Sequence, residues 1–289
     1  MKERYRIFIH LFFILTIAFF ILPFVLIITI SFSNENDITR YGYSLIVKNF
    51  STEAYAYVFK NPRSIINSYL VTSFFAIAGT AVSLFVMALS GYALSRDAFT
   101  YKKFVTYPLL LTMFFSGGLI PLYIINTQVF HLTNNLMVYI MWGMISGYTI
   151  FVFRSFFSQI PGSLIESANL DGANEFQILW HVILPLSTPV LATFGFIGIV
   201  TRWNNFEASL YYITDQKLYS LQYLLQLVLK EVQFLRMSMS AAPEGVSGVI
   251  PMETIKFAMC VVAAGPMVLV FPFFQKYFSK GMVVGAVKG

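Results

Sequence analysis

Side chains able to do covalent or acid–base chemistry are few and scattered in this chain. Its three histidines, His10, His131 and His181, lie at least 50 residues apart, and Cys260 is the single cysteine. That excludes an internal disulfide and any cysteine-based metal cluster, and leaves no nucleophile–base or metal constellation. The sequence holds no G-x-x-x-x-G-K-[ST], no H-E-x-x-H and no G-x-S-x-G, so nothing in it supports ATP hydrolysis, zinc proteolysis or α/β-hydrolase chemistry. The most informative spacing lies instead in a connector bounded by Pro161 and Pro185. It begins Ser163-Leu164-Ile165-Glu166, an S-x-x-E capping box, which predicts a short helix starting at Ser163. Asp171-Gly172 interrupts that helix, and Gly172 tolerates the positive φ needed where one short helix turns into the next. Asn174 to Trp180 form the next helix before Ile183-Leu184-Pro185 opens an apolar stretch. Together these read as a capped helix, a glycine joint and a proline-stiffened exit. By period and capping alone the same residues also suit an amphipathic connector at a membrane interface.

The elements around this connector are apolar. Of the 289 residues 57% are hydrophobic and 11% charged, with a mean hydropathy of +0.72. Soluble domains carry roughly 25% charged residues, so this is an integral membrane protein. Six stretches lack Asp, Glu, Lys and Arg: 7–30, 65–94, 104–125, 136–153, 184–200 and 257–274. At about 1.5 Å per residue most can cross a hydrocarbon core of about 30 Å, the last three barely. Lys2, Arg4 and Arg6 precede the first, but its length and the absence of a small-residue cleavage site mark it as a retained helix rather than a signal peptide. With the N-terminus inside, the inner segments 1–6, 95–103, 154–183 and 275–289 hold ten Lys/Arg against five acids. The outer nine are spread over two long loops, so the positive-inside rule places both termini inside. The net charge of +6 is read as this bias, not as nucleic-acid binding, because no basic run exceeds two residues.

Two outer segments are substantial. Residues 31–64 are polar and mixed in charge. Within 201–256, Leu221, Leu224, Leu225, Val228, Leu229 and Val232 fall on one helical face, which predicts an amphipathic helix of about twelve residues, too short and polar to span. Met237–Pro251 is rich in Ser, Ala, Gly and Pro and reads as an irregular loop. Gly143 and Gly147 form a small-xxx-small pair that would let the fourth stretch approach another helix.

The connector also carries a resemblance. Glu166-Ser167-Ala168, three residues, Gly172, nine residues, then Val182-x-Leu184-Pro185 resembles the EAA motif of ABC importer permeases, with Ser167 and Val182 as conservative departures. Asp171-Gly172-Ala173 and Pro189 are similar to the carbohydrate-uptake, maltose-type branch. So is the tail Pro272-Phe273-Phe274-Gln275-Lys276-Tyr277-Phe278 with Lys280-Gly281 and Gly285-Ala286-Val287-Lys288-Gly289. Phe115-Ser116-Gly117-Gly118-Leu119-Ile120-Pro121 is similar to the subgroup that takes complex oligosaccharides or polysaccharides.

The resemblance implies an all-α membrane protein, six transmembrane helices in the type I ABC importer permease fold, forming one domain over 1–289. It implies a multi-pass subunit of the bacterial cytoplasmic membrane that moves carbohydrate by alternating access and binds no cofactor itself. ATP-Mg would be held by two separate ATPase subunits, a second related permease chain would complete a heterodimer, and an extracytoplasmic solute-binding protein would deliver substrate. Loop 158–185 would be the coupling helix, with Glu166, Ser167, Ala168, Asp171, Gly172 and Ala173 against the ATPase; Glu166 could equally serve only to close the capping box. Gln275, Lys276, Lys280 and Lys288 of the tail would touch the same subunits, or anchor the tail on the membrane. Glu244-Gly245-Val246-Ser247-Gly248 would form a tip entering the binding protein. Carbohydrate sites combine aromatic faces with amides, which singles out Trp203-Asn204-Asn205 with Trp142, Tyr148 and Asn126, although each also suits interfacial anchoring or helix packing. The rival readings are a stand-alone ion-coupled or passive carrier and an intramembrane enzyme. Against the carrier stands the lack of any acid in the six stretches.

Overall fold

The structure is a computed structural model that describes residues 2–240 and 252–286, with side chains for 6–238 and 252–275. Its elements are helical, with an isolated antiparallel bridge between Ser33 and Phe50 and no strand among the described residues. In chain order these are α1 (Lys2–Ser31), α2 (Glu35–Tyr41), α3 (Glu53–Val58), α4 (Pro62–Ser95), α5 (Lys102–Phe114), α6 (Leu119–Ile124), α7 (Met137–Met141) and α8 (Gly147–Phe157). There follow α9 (Gly162–Leu170), α10 (Glu175–Ile178), α11 (Leu184–Leu186), α12 (Thr188–Trp203), α13 (Glu207–Tyr212), α14 (Leu221–Ser240) and α15 (Met252–Ala286). Three helices, Arg6–Ser31, Pro62–Ser95 and Met252–Gln275, are long and apolar enough to cross a membrane singly. A fourth crossing arises if the bent pair Glu175–Leu186 and Thr188–Trp203 counts as one.

The stretches 104–125 and 136–153 are not continuous helices. Between α5 and α6 the chain runs through Phe115-Ser116-Gly117-Gly118, where Gly118 has φ +85° and Ser116 Oγ accepts from its N–H at 3.3 Å. Two glycines and a serine that competes for backbone donors weaken the helix there. Between α7 and α8 the break is Trp142–Ser146, with Gly143 at φ +62°. Helix α8 restarts under Ser146, whose side chain accepts from Thr149 N. Of the expected small-residue pair only Gly147 serves close approach: a Cβ there would lie 3.0 Å from the Leu109 carbonyl, whereas Gly143 faces open space and makes the break.

The chain forms two compact units, one from Met1–Ile66 and Leu224–Pro266, the other from Asn67–Tyr223 and Met267–Gly289. In the first, Ile30, Ala54, Val58, Val232, Ile255 and Ala258 are buried. Its polar lock is Glu35, a buried carboxylate that accepts from Glu253 N, Thr254 N and Thr254 Oγ1, each at 2.9 Å. An anion on the free N–H groups opening a long helix satisfies orphan donors and opposes the helix dipole. Helix α14 presents the expected apolar face, with Leu221, Leu225 and Val232 buried, but extends to 20 residues rather than twelve. No proline or glycine stops it before Ser240.

Among the described residues of the second unit two apolar cores stand out. One gathers Met87, Tyr92 and Leu94 of α4 with Ile150, Phe153 and Phe157 of α8, and Ile165, Ile178, Leu179 and Ile183 from the connector. The other joins Phe75, Val138, Tyr139, Ala208 and Tyr212. Asn134, at φ +52°, stitches the second: its Oδ1 accepts from Thr214 N and Asp215 N at 2.7 and 3.0 Å.

Candidate functional site

The connector folds as two short helices, but the capping box is not where its sequence suggests. Helix α9 begins at Gly162 under Pro161, with no side-chain cap. Pro161 holds φ −54° and ψ 127°, an extended entry, so Ser163 falls inside the first turn, beyond the position from which it could cap. Glu166 is therefore not a capping partner; its carboxylate is exposed. The box sits one helix later. Asn174 Oδ1 accepts from Gln177 N at 2.9 Å, and Asn174 N donates to Gln177 Oε1 at 2.8 Å, closing the start of α10.

Between them Gly172 stands at φ +81°. Gly172 N donates to Asn169 O at 3.0 Å and Ala173 N to Ala168 O at 2.9 Å, the paired bonds of a Schellman motif. Ala168 and Ala173 pack half-buried against the core, as the motif's apolar contact requires. Ile165, Ile178, Leu179 and Ile183 are anchored beneath, each buried side chain contributing about 1.5–3 kcal/mol. Ser163, Glu166, Ser167 and Leu170, at i, i+3, i+4 and i+7, remain on the outer face with Asp171 and Gly172. Leu170 is 89% exposed, so this face is left for something else to cover. Beside it Asp171, Gly172, Gln177 and His181 edge a cleft of about 310 Å³.

One side chain ties the connector to α4. Glu175 accepts from the Tyr92 hydroxyl, and the Arg96 guanidinium approaches the same carboxylate at 3.4 Å. From α10 the chain passes through a π turn, Leu179–Ile183, into α11. Pro185 explains the widened turn, since its ring would clash with the carbonyl four residues back. Pro189 lacks the N–H that would bond Pro185 O, and Thr188 Oγ1 takes that acceptor at 2.7 Å. The outcome is an 81° elbow between Glu175–Leu186 and Thr188–Trp203. Two prolines thus stiffen the bend that joins the two short helices to α12.

At the far end of α12 lies a second polar region. Helix α4 turns Ser68, Thr72, Ala76, Thr80 and Ser83 inward, all buried. Arg202, in the last turn of α12, donates from Nη2 to Ser83 Oγ and to Gly143 O, the latter at 3.4 Å, while its Nε is buried without a hydrogen-bond partner. Gly79 makes room for it, since a Cβ there would stand 2.7 Å from Nε. Tyr139 OH bonds Ser209 Oγ at 2.7 Å and Leu218 O at 2.6 Å, and Ser209 bonds Ser220 at 2.8 Å.

The residues expected on a translocation path divide between these surroundings. Trp142 and Asn205 line a small cavity of about 20 Å³ with Arg202, Tyr139 and Thr72. Asn205 Oδ1 also accepts from Ala208 N at 3.0 Å to start α13. Trp203 is buried beside Tyr69, and Asn204 bonds back to Val200 O at 3.0 Å. Asn126 donates to Tyr212 OH at 3.1 Å, whereas Tyr148 is exposed beside Phe194. Nothing local in the sequence singles out Arg202, which follows the apolar stretch 184–200 and stands two residues before Asn204-Asn205. The loop Glu244–Gly248 and Lys288 lie outside the described residues. The backbone of α15 includes Gln275, Lys276 and Lys280. Among the described residues no group of three His, Cys, Asp or Glu could hold a metal ion.

The scaffold among the described residues is all-α, with helices long and apolar enough to cross a membrane and a two-helix connector joined to them through an 81° elbow. A family model for the binding-protein-dependent transport system inner membrane component matches residues 1–284, and the chain belongs to that family of ABC transporter permeases. It is 35% identical to the polygalacturonan/rhamnogalacturonan transport system permease protein YtcP of Bacillus subtilis (strain 168), over 93% of each chain. It is 36% identical to protein LplC of the same organism, over 94% of this chain and 90% of that one. A crystal structure of a bacterial ABC transporter involved in import of the acidic polysaccharide alginate superposes with a TM-score of 0.77 at 25% identity, covering 96% of this chain and 97% of that one.

Proposed function

We propose that the chain is the membrane-spanning half of a carbohydrate importer, taking oligosaccharide or polysaccharide fragments, and that uronate-bearing polymers are among its cargo. The names of YtcP and of the alginate transporter support the substrate class. In this reading the protein lies in the bacterial cytoplasmic membrane with both termini inside. It pairs with a second, related permease, docks two ATPase subunits that hold ATP-Mg, and receives sugar from a solute-binding protein outside.

The observation that carries the coupling role is the outward face of α9. An anchored helix that leaves Glu166, Ser167, Leu170 and Asp171 uncovered, joined through Gly172 to an 81° elbow, suits a knob seated in an ATPase groove. Ala168 and Ala173 serve that knob from beneath, by packing against the core that α4, α8 and the connector share. The tail from Gln275, with Lys276, Lys280 and Lys288, is assigned to the same partner, and Glu244-Gly245-Val246-Ser247-Gly248 to the binding protein. Trp142, Asn205 and their neighbours belong to the substrate path.

Uptake into proteoliposomes tests this reading. Vesicles holding both permeases and the ATPase subunits, given loaded binding protein, should accumulate labelled oligosaccharide only with ATP inside. Uptake driven by an ion gradient alone would instead establish a stand-alone carrier.

A further inference from the structure

We infer that Arg202 is the point at which a carboxylate-bearing sugar residue is recognised as it crosses the middle of the membrane. This deepens the substrate reading above and rests on it. The first observation is depth. Gly79 is the midpoint of α4, 17 residues from Pro62 and 16 from Ser95, so Arg202 lies beside the centre of a membrane-crossing helix. At about 1.5 Å per residue that centre is roughly 25 Å from either end, inside any hydrocarbon core.

The second observation is charge. A guanidinium at such depth is costly and is retained where it has a partner or a task. None of the ion pairs found among the described residues involves Arg202. Its bonds go to two neutral groups, Ser83 Oγ and Gly143 O, and its Nε is buried with no acceptor. Thr80 Oγ1, one turn along α4 from Ser83 and itself buried, also lacks a partner. Desolvated donors beside a cation are the complement of an anion.

The third observation is the backbone. Arg202 sits where two interruptions meet: the end of α12 at Asn204 and the Gly143 break between α7 and α8. Unwound backbone at membrane depth is tolerated where protein covers it or a polar cavity adjoins it, and in transporters broken helices near the midplane mark the cargo site. The cavity here, about 20 Å³ lined by Arg202, Asn205, Trp142 and Tyr139, has room for one water. Its lining combines an indole, an amide, a phenol and a guanidinium. The first three suit any sugar. Only the guanidinium distinguishes a uronate from a neutral hexose, by charge-assisted and bidentate bonding.

The test is binding to the assembled complex, held by a non-hydrolysable ATP analogue and free of binding protein. Labelled trigalacturonate and its neutral methyl ester are compared by equilibrium dialysis. The native complex should prefer the acid by about tenfold or more, as expected for a charge-assisted contact. Arg202→Gln should erase the preference by weakening the acid while leaving the ester within about twofold, and Arg202→Lys should keep part of it. Gly79→Ala, which crowds Nε, should lower the preference without removing the charge. A native complex that binds both alike, or an Arg202→Gln complex that loses both equally, overturns the inference and leaves Arg202 a brace for the Gly143 break. ATP-driven uptake of neutral oligosaccharide would survive that result, so the carbohydrate reading stands or falls separately.

Discussion

Replacing Gly172 should cripple transport in a graded order that follows backbone strain and not side-chain size. Gly172 stands at φ +81°, and a Cβ there meets nothing within 4 Å, so the cost of a substitution is conformational. Holding a non-glycine residue in the left-handed region costs roughly 1–2 kcal/mol, less for asparagine and more for a β-branched residue. A cost of about 1–2 kcal/mol shifts the population of the native joint by roughly 5- to 30-fold. Gly172→Asn should therefore retain most uptake, Gly172→Ala should lose several-fold, and Gly172→Val more. Gly172→Pro should abolish uptake, because it also removes the N–H that bonds Asn169 O at 3.0 Å. Membrane insertion and basal ATP hydrolysis should persist throughout, while stimulation of hydrolysis by loaded binding protein falls with uptake. Unchanged stimulation in Gly172→Pro would remove the joint from the coupling path.

The second large effect is expected at the tie between the connector and α4. Arg96 and Glu175 are 24% and 58% exposed at their side chains, so their pair is worth about 0–1 kcal/mol to stability. Its value is geometric: with the Tyr92 hydroxyl it fixes the first turn of α10 to the end of a 34-residue helix. Glu175→Arg and Arg96→Glu should each cut sugar moved per ATP hydrolysed by several-fold, with thermal stability nearly unchanged. The exchange Arg96→Glu with Glu175→Arg should recover part of that ratio, although Tyr92 loses its carboxylate acceptor. Single variants that transport normally, or an exchange worse than both, would assign the contact to surface chemistry alone.

Much of this architecture is legible in the chain because membrane burial and helix ends obey local rules. Apolar stretches 7–30, 65–94 and 257–274 fall within α1, α4 and α15, and Gly172 occupies the left-handed joint its position suggests. What is not legible depends on competition between neighbours. Ser163 and Glu166 have capping-box spacing, yet Pro161 fixes the entry two residues too early, and Asn174 with Gln177, a less familiar pair, closes the box. The breaks at Phe115–Gly118 and Trp142–Ser146 look apolar, so hydropathy passes over them; only their glycines hint at the interruption. Arg202 sits just past an apolar run and reads as an interfacial charge. The signal that would have placed it is on the opposite helix: Ser68, Thr72, Thr80 and Ser83, with Gly79, form one small, polar stripe along α4. The Tyr92–Glu175 tie joins residues 83 apart and has no local signature.

The role of the α9 face is tested most directly by chemical cross-linking from Leu170, which stands 89% exposed on it. In a Cys260→Ser background, Leu170→Cys in the assembled complex should be joined to an ATPase subunit by a short thiol-reactive cross-linker. The joined complex should lose ATP-driven uptake and regain it when the linker is cleaved. Absence of any product at Leu170 with the ATPase present, or a cross-linked complex that still transports at the native rate, would contradict coupling through this loop.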